Sequence, residues 1–149
     1  MPRRLRLRLR LTHQHGFSLI ELLVVMLILG VLAAIALPAF LGQEQKGEDA
    51  DAKANARNLV SLVDACYTSK DDYSQCSDQA GLGGNIGIPY GPNPGEANVA
   101  ASTRDSFTVS AVSKAKTAGA NNTFSITRDA SGVVSRTCSG GGGCHSGSW

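Results

Sequence analysis

The sequence has few aromatic residues and, beyond its first residues, little concentrated positive charge. Aromatics make up 5% of the 149 residues, and the overall net charge is +2. Residues 1–16 contain five arginines and no acid, so the remainder holds 9 Lys+Arg against 12 Asp+Glu, a net charge of −3. Lys114 and Lys116 form the only tight basic pair after the N-terminal region. Because a nucleic-acid-binding domain normally carries a concentrated basic face, we expect no nucleic-acid partner for this part of the chain.

Common catalytic and metal-binding motifs are missing as well. The chain contains no Gly-x-Ser-x-Gly, phosphate-binding loop, His-Glu-x-x-His or dinucleotide fingerprint. After residue 16 the only histidine is His145, and no Cys-x-x-Cys pair is present. The acids Asp71, Asp72 and Asp78 could bind calcium, but their spacing matches no calcium loop, which favours a solvated loop. We therefore expect no catalytic residue, no cofactor and no metal site.

Charge is also missing from residues 22–40, which carry no charged or hydrogen-bonding side chain. With its flanks, this region forms an apolar stretch over residues 17–41. As a helix, these 25 residues extend roughly 37 Å, enough to cross a hydrocarbon core of about 30 Å. The positive-inside rule keeps the preceding arginines in the cytoplasm. The pattern predicts a single-pass precursor in the inner membrane, with everything after residue 41 outside the cytoplasm.

Two ordinary explanations of the apolar stretch are incomplete. A secretory signal also has a basic start, but here the apolar run is too long and no clean small-x-small cleavage site follows it. A plain membrane anchor explains the length and the charges, but not Glu21, an acid at the front edge of the run. A carboxylate at the bilayer centre costs about 2.5–3.5 kcal/mol, although near the edge it can reach the headgroups.

The residues around Glu21 resemble a known processing signal. The sequence Gly-Phe-Ser-Leu-Ile-Glu at residues 16–21 follows a basic leader and precedes a long apolar run with Pro38. This arrangement resembles the class III signal of type IV prepilins and their pseudopilin relatives, over residues 10–67 and only loosely beyond them. In that family a membrane aspartyl peptidase cuts after the glycine and N-methylates the new first residue. The resemblance implies a leader of residues 1–16, cleavage between Gly16 and Phe17, and methylation of Phe17 by the prepilin peptidase/methyltransferase.

Each residue of this signal has a physical rationale. Gly16 offers no side chain, so a protease cleft can approach the backbone closely. Cleavage frees a positive α-amine at Phe17, among apolar neighbours that cannot neutralise it. The resemblance implies that Glu21 pairs with the N-terminus of an adjacent subunit and sets its register during assembly. A paired carboxylate costs far less than an isolated one in a medium of low dielectric constant.

The resemblance also implies that residues 17–41 first span the membrane and later pack against identical helices in a filament. Small side chains would let helices approach closely, although they can also be apolar filler. These residues are Gly30, Ala33, Ala34 and Ala36. Pro38 removes a backbone hydrogen bond and Gly42 adds flexibility, so we expect a kink near Pro38. In related filaments the corresponding stretch loses helicity, which implies melting from Pro38 to about Gly47.

Residues 42–66 are expected to form the amphipathic second half of the long helix. Apolar residues recur there at spacings of four and three, which is one helical stripe. The stripe consists of Ala52, Ala56, Leu59, Val63 and Cys66. Asp49 and other charged residues fall on the remaining faces and are interpreted as a solvated surface, and Glu48 and Asp49 suit a helix start. Residues 67–104 are rich in turn residues and are expected to be mostly loop.

Alternating apolar residues predict strands over residues 106–112, 123–127 and 133–137. Their short links favour an antiparallel meander. The predicted fold is α+β, with a long N-terminal helix packed on a small three- to four-stranded antiparallel sheet. The helix has a membrane-spanning half and an amphipathic half, and residues 67–149 supply the loop-rich head and its sheet. This arrangement resembles the pilin fold.

Four cysteines lie after the apolar stretch and allow three pairings. The local pairing, Cys66 with Cys76 and Cys138 with Cys144, is favoured because each pair closes a short loop. An extracytoplasmic location makes disulfides the expected state. The first bridge would tie the helix end to the next loop, and the second would pin a tail too glycine-rich to order itself. Each bridge would contribute about 2–3 kcal/mol.

The favoured function is a structural one: a pilin of a type IV pilus-like filament, with adhesion, motility or DNA uptake as its roles. The implied partners are the prepilin peptidase/methyltransferase, other pilin subunits, and an assembly platform with its ATPase. The implied final location is an extracellular filament. A pseudopilin of a type II secretion or competence system shares the N-terminal motif and stays open as an alternative. A membrane-anchored binding module is the alternative of another class.

Overall fold

The computed structural model describes residues 16–149, and most of the predicted leader, residues 1–15, lies outside them. The first element is one helix, α1, over Leu19–Lys70. It starts where the Ser18 carbonyl accepts hydrogen bonds from the amides of Glu21 (3.1 Å) and Leu22 (3.2 Å). It ends where Asp71 adopts a left-handed backbone (φ 52°), and the Asp71 amide donates to the Tyr67 carbonyl. A left-handed residue of this kind is a common helix terminator.

Helix α1 is uninterrupted across Pro38, Gly42 and Gly47. The predicted melting of this stretch concerns subunits packed in a filament, so it stays a prediction, as does the kink. The chain divides after Pro38 into two compact units, and each is described by itself. The first contains the apolar part of α1. The second, Ala39–Trp149, contains the rest of α1 and the sheet.

The second unit is an α+β head built on one four-stranded antiparallel sheet. After α1 come a short 3-10 turn, Tyr73–Cys76, and a long loop. The strands are β1 (Ala97–Ser102), β2 (Phe107–Thr117), β3 (Ala120–Arg128) and β4 (Val134–Ser139). They follow one another in the sheet in the order of the chain, so each strand pairs with its neighbour in sequence. The predicted fold class and meander are confirmed.

Strands β2 and β3 extend beyond the residues predicted from alternation. Their two-residue connection, Ala118-Gly119, has positive φ at both positions (52° and 86°). This is the backbone of a tight hairpin whose twist matches that of the flanking strands. A bulge between Val112 and Lys116 shifts the register just before the turn. The burial of alternate positions continues beyond residue 112, but Ser113 and Ala115 occupy them, so the pattern of large apolar side chains ends there.

Strand β1 lies inside the range that the sequence assigned to loop. Its residues, Ala-Asn-Val-Ala-Ala-Ser, include one β-branched aliphatic side chain and no aromatic one, so their strand propensity is weak. Pairing with β2 supplies what propensity does not, because Ala97 aligns with Ala111 and Val99 with Val109. Both of those pairs are buried. Pairing with β2, and not local propensity, therefore makes Ala97–Ser102 a strand.

The core lies between the helix and one face of the sheet. The predicted stripe on α1 is confirmed, because each of its five residues is buried. The sheet contributes residues from alternate positions of its strands. These are Ala97, Val99, Phe107, Val109, Ala111, Phe124 and Ile126. Full burial of a side chain such as Phe107 or Leu59 contributes about 1.5–3 kcal/mol, so this two-layer contact is the main source of stability.

The assignment of Asp49 to a solvated face was wrong. Its side chain is 2% exposed, although it sits on the helix beside residues that are open to solvent. Asp49 also lies deep inside α1 and not at a helix start. The structure covers it with the C-terminal part of the chain, which helical periodicity cannot reveal.

We predict that Leu59→Ala lowers the free energy of unfolding by about 2–5 kcal/mol, because it leaves a cavity in a fully buried site. Urea unfolding of the full chain in detergent micelles, followed by Trp149 fluorescence, measures the change. The neighbouring exposed Asn58 provides the control, and Asn58→Ala is expected to change stability by less than about 0.5 kcal/mol. Equal effects of the two substitutions would contradict the described core.

Candidate functional site

The Gly16–Phe17 peptide bond lies ahead of helix α1 and has no helical hydrogen bonds of its own. Phe17 is 73% exposed, and a Cβ added to Gly16 would meet nothing within 4 Å. A protease must bind its substrate backbone in a form that is not already hydrogen-bonded in a helix. The bond is therefore presented in a form that a peptidase can bind. Cleavage and methylation themselves stay predictions.

Glu21 is exposed and lies in the first turn of α1, four residues after Phe17. An acid in the first turn is stabilised by the free N–H groups and by the positive end of the helix dipole. A new α-amine at Phe17 would add a positive charge at the same end of the helix. The position is thus one where a carboxylate and an amine from two chains can pair. The pairing is not tested by a single chain.

The helix that follows Glu21 is apolar on every side. Within the described residues, Leu19–Lys70 is the one helix long and apolar enough to cross a membrane, judged by length and composition. None of its 18-residue apolar window is buried inside the subunit, and its mean hydropathy is 2.9. Exposed fractions there reach 70% for Met26 and 72% for Ile35. A helix that is hydrophobic all round needs a lipid or protein environment that the single subunit does not provide.

Two disulfide bonds join the cysteines in the pairs expected from their spacing. Cys66 is bonded to Cys76 with a Cα–Cα distance of 6.0 Å, and Cys138 to Cys144 with 5.7 Å. The first links the last turns of α1 to the 3-10 turn and is part of the core. The second closes a loop of glycines after β4. The first bridge therefore reinforces the core, and the second closes the glycine loop that follows the sheet.

The glycine loop is held by four side chains. Three of them form what we call the tail clamp: Asp49 and Lys53 of α1 and Asn122 of β3. The fourth, Thr117 of β2, accepts a hydrogen bond from the Gly141 amide at 2.8 Å. Asn122 donates to both Asp49 oxygens, at 3.0 and 3.1 Å, and its own oxygen accepts the Gly141 amide at 3.2 Å. Lys53 donates to the Gly142 carbonyl at 2.8 Å. Asp49 and Asn122 are both 2% exposed. The clamp therefore satisfies a buried carboxylate and orders a segment that has no side chains of its own.

Glycine is required in the clamp for steric reasons. A Cβ at Gly142 would overlap the Asp49 carboxylate, and one at Gly140 would overlap the Asn122 amide. Both residues also have positive φ, 68° and 100°. The backbone of this loop therefore fills the space that side chains occupy elsewhere. The glycine run, interpreted from sequence as unable to order itself, is here a packing element.

Trp149 covers the adjacent end of the core. Its indole N–H donates to the Thr137 carbonyl at 2.9 Å, and its ring meets Phe124 edge-on at a centroid distance of 5.7 Å. Arg57 of α1 and Arg136 of β4 lie over the same ring, at 5.0 and 5.6 Å from its centroid. Trp149 thus links helix, sheet and tail. No motif or periodicity in the sequence indicated this role.

A second polar cluster joins the other end of α1 to the sheet. The Asp64 carboxylate accepts hydrogen bonds from Arg128 (3.1 Å) and from the Tyr73 hydroxyl (3.0 Å), and Arg128 also donates to Tyr73. Tyr73 stacks on Tyr67 and packs against Phe107. Burial raises the pKa of Tyr73, and the nearby Asp64 adds to the rise while Arg128 opposes it. These partners give Asp64 a structural role, which is to join α1 to the sheet.

The loop acids Asp71, Asp72 and Asp78, considered above as calcium ligands, contact nearby residues of the head. Asp72 accepts hydrogen bonds from Ser74, which lower the pKa of the Asp72 carboxyl. Asp78 accepts the Gly81 amide at 2.6 Å, and Asp71 lies 3.7 Å from Arg104. Among residues 16–149, no group of three or more His, Cys, Asp or Glu side chains is placed to hold a metal. Asp72 and Asp78 therefore cap turns, and Asp71 forms an exposed ion pair.

Comparison with known proteins finds a motif match in the N-terminal region and several relatives of partial length. The family model described as the prokaryotic N-terminal methylation motif matches residues 11–37. The chain is 37% identical over 76 residues to the type IV major pilin protein PilA of Myxococcus xanthus, which is 51% of this chain and 34% of that protein. No solved structure matches significantly.

Two further relatives extend the comparison. The fimbrial protein of Neisseria meningitidis is 34% identical over 77 residues, 52% of this chain and 45% of that protein. The type II secretion system core protein G of Pseudomonas aeruginosa is 33% identical over 82 residues, 54% of this chain and 56% of that protein. The chain thus spans between about a third and just over half of the length of these relatives. Over about half of its length the chain is thus similar to type IV pilins and to a type II secretion system core protein.

We predict that Gly142→Ala destabilises the head by about 1–3 kcal/mol more than Gly147→Ala. Both glycines have positive φ, so the backbone strain of the two substitutions is matched. A Cβ at Gly142 overlaps Asp49, whereas one at Gly147 meets nothing within 4 Å. Urea unfolding in micelles, monitored by Trp149 fluorescence, gives the difference. Equal losses would show that the tail clamp contributes nothing beyond backbone conformation.

Proposed function

We propose that this chain is the precursor of a filament subunit. A membrane peptidase removes residues 1–16 and methylates Phe17, and α1 then moves from the bilayer into the core of the filament. The observation that carries the proposal is the apolar part of α1, which is unburied in the subunit and has Glu21 in its first turn. An assembly platform and its ATPase would supply the work of extraction, since the apolar helix is more stable in lipid than in water.

The charge pairing at the start of α1 is the step that gives the filament its register. In the proposal, the Phe17 amine of one subunit meets the Glu21 carboxylate of a neighbour in an apolar surrounding. Coulomb attraction is strong there, whereas either charge alone would be costly. A subunit that is displaced along the filament would leave both charges unpaired. The correct position of each subunit along the filament is thus more stable than a displaced one.

A pseudopilin is the second candidate function. It is favoured by the likeness to the type II secretion system core protein G of two bacteria, Pseudomonas aeruginosa and Dickeya chrysanthemi. The two functions share processing and differ in where the product resides. A surface pilin is recovered from filaments sheared off intact cells, and a pseudopilin stays with the envelope. Mass spectrometry of the N-terminal peptide in both fractions separates them.

We predict that the sheared fraction yields a peptide beginning at methylated Phe17, and that Gly16→Leu abolishes it. Because a side chain at Gly16 touches nothing in the subunit, the block would arise in the peptidase and not in folding. Gly47→Leu is the matched control, since Gly47 also has no neighbour within 4 Å, and cleavage should persist. An uncut wild-type N-terminus would overturn the proposed processing and leave a membrane anchor.

We predict that Glu21→Ala leaves cleavage intact but lowers the yield of sheared filaments at least about tenfold, since it removes the partner of the Phe17 amine. Glu21→Asp keeps the charge on a shorter side chain and should retain part of the yield. Processed subunit in the membrane fraction, quantified beside the filaments, controls for expression. Normal filament yield from Glu21→Ala would refute the pairing role.

A further inference from the structure

The charged residues of α1 within the head are sorted onto two flanks of the buried stripe. The acidic flank is defined by spacings of four and three, which place its residues in one row. It consists of Glu44, Glu48 and Asp51. The basic flank is defined by spacings of seven and four, and consists of Lys46, Lys53 and Arg57. Glu48 and Arg57 are nine residues apart, about two and a half turns, so they project from opposite sides of the helix.

The sheet and the tail strengthen the basic flank. Arg136 of β4 lies over the Trp149 ring beside Arg57, so we count it with this flank. Trp149 is fixed by the hydrogen bond from its indole N–H to Thr137 and by its contact with Phe124. Both guanidinium groups are thereby held at the surface in defined positions. Of the two acids on the same side, Asp64 is paired with Arg128, and Asp49 is buried in the tail clamp and forms no ion pair with a flank residue.

Neither flank is neutralised within the subunit. In the part of the chain that the structure describes, the ion pairs are Arg104–Asp71 and Arg128–Asp64, and neither involves a flank residue. Glu48 and Asp51 line an open groove of about 390 Å³. Lys114 borders this groove but forms no ion pair with either acid. The acidic flank therefore keeps unpaired carboxylates beside a space that a side chain can enter.

Each flank contains a like-charge pair at positions i and i+4: Glu44 with Glu48, and Lys53 with Arg57. Such pairs weakly destabilise a helix, because the two charges face each other across one turn. Within the subunit Lys53 is held by Gly142 and Arg57 by the Trp149 ring, but neither they nor the two acids form an ion pair. A surface of opposite charge would relieve both repulsions.

We propose that the basic flank of one head docks against the acidic flank of a second copy of this chain. The inference rests on the proposed filament and adds a contact between heads to the contact between apolar helices. The two flanks lie on opposite sides of α1, so the interface is heterologous and leaves a free flank on each outer subunit. Contacts of that kind propagate into open helical polymers. A guanidinium also suits the carboxylates of the groove, because its planar donors can bind a carboxylate in two places.

The same basic residues could instead bind a polyanion such as DNA, and the structure favours this less. Binding of single strands relies on open aromatic rings on which bases stack. Trp149 has Arg57 and Arg136 over its ring, so it supports the guanidinium groups and offers no open platform. A polyanion site also gives no role to the acidic flank. The complementary flank of a second copy accounts for both.

Charge reversal in full-length protein tests the proposal. The basic reversal is Arg57→Glu with Arg136→Glu, and the acidic reversal is Glu48→Lys with Asp51→Lys. We expect either reversal alone to lower sheared filaments at least about tenfold, and their combination in one chain to restore at least half of the wild-type yield. Lys53 is left unchanged because it holds the tail through Gly142. Lys116→Glu, at an exposed site outside both flanks, is the control and should leave the yield unchanged.

The outcomes are distinguishable. Normal yield from both reversals would overturn the inference and leave the proposed function standing. A combined variant that is folded by circular dichroism and processed at Phe17, but no better than the single reversals, would overturn it too. If the basic reversal keeps normal filaments and only their retention of duplex DNA falls, the flank is a polyanion site and the inference is wrong. Absence of filaments from the wild type would overturn the proposed function and this inference together.

Discussion

Burial of one narrow stripe of α1 against the sheet is the contact on which the rest of the head depends. The stripe is only one residue wide at most levels, and three of its five residues are Ala52, Ala56 and Cys66. Because the stripe is narrow, it leaves most of the helix circumference exposed. The two charged flanks occupy that remaining surface.

The polar clusters then fix how the sheet sits on the stripe. Asp49 and Asn122 act at one end of the head, and Asp64, Tyr73 and Arg128 act at the other. An apolar stripe alone permits some sliding and rotation, since hydrophobic contacts are not directional. Buried hydrogen bonds have defined geometry and are costly to leave unmade. The head therefore combines a nondirectional core with a directional contact at each end.

Sequence reasoning succeeded where local periodicity decides the structure. Helical spacing predicts the buried stripe from Ala52 to Cys66. Alternation predicts the buried face formed by Phe107, Val109 and Ala111. It failed where a distant segment decides. Asp49 reads as a solvated acid because its cover comes from Gly140–Gly143, and β1 reads as loop because its strand form depends on pairing with β2. Trp149 and the two arginines over it come from three separate elements and could not be grouped from the sequence.

The separation of the tail clamp along the chain has a consequence for biogenesis. Lys53 and Gly142, which it joins, lie 89 residues apart, and Asp49 and Asn122 lie 73 apart. A chain exported from its N-terminal side delivers α1 first and the glycine loop late. Long-range contacts close only after the intervening chain is available. In the interval Asp49 is solvated, so the helix side that later carries the loop stays hydrophilic. Under the proposed export, completion of the head would thus be timed by translocation, because the tail clamp forms only after β3 and the glycine loop have crossed.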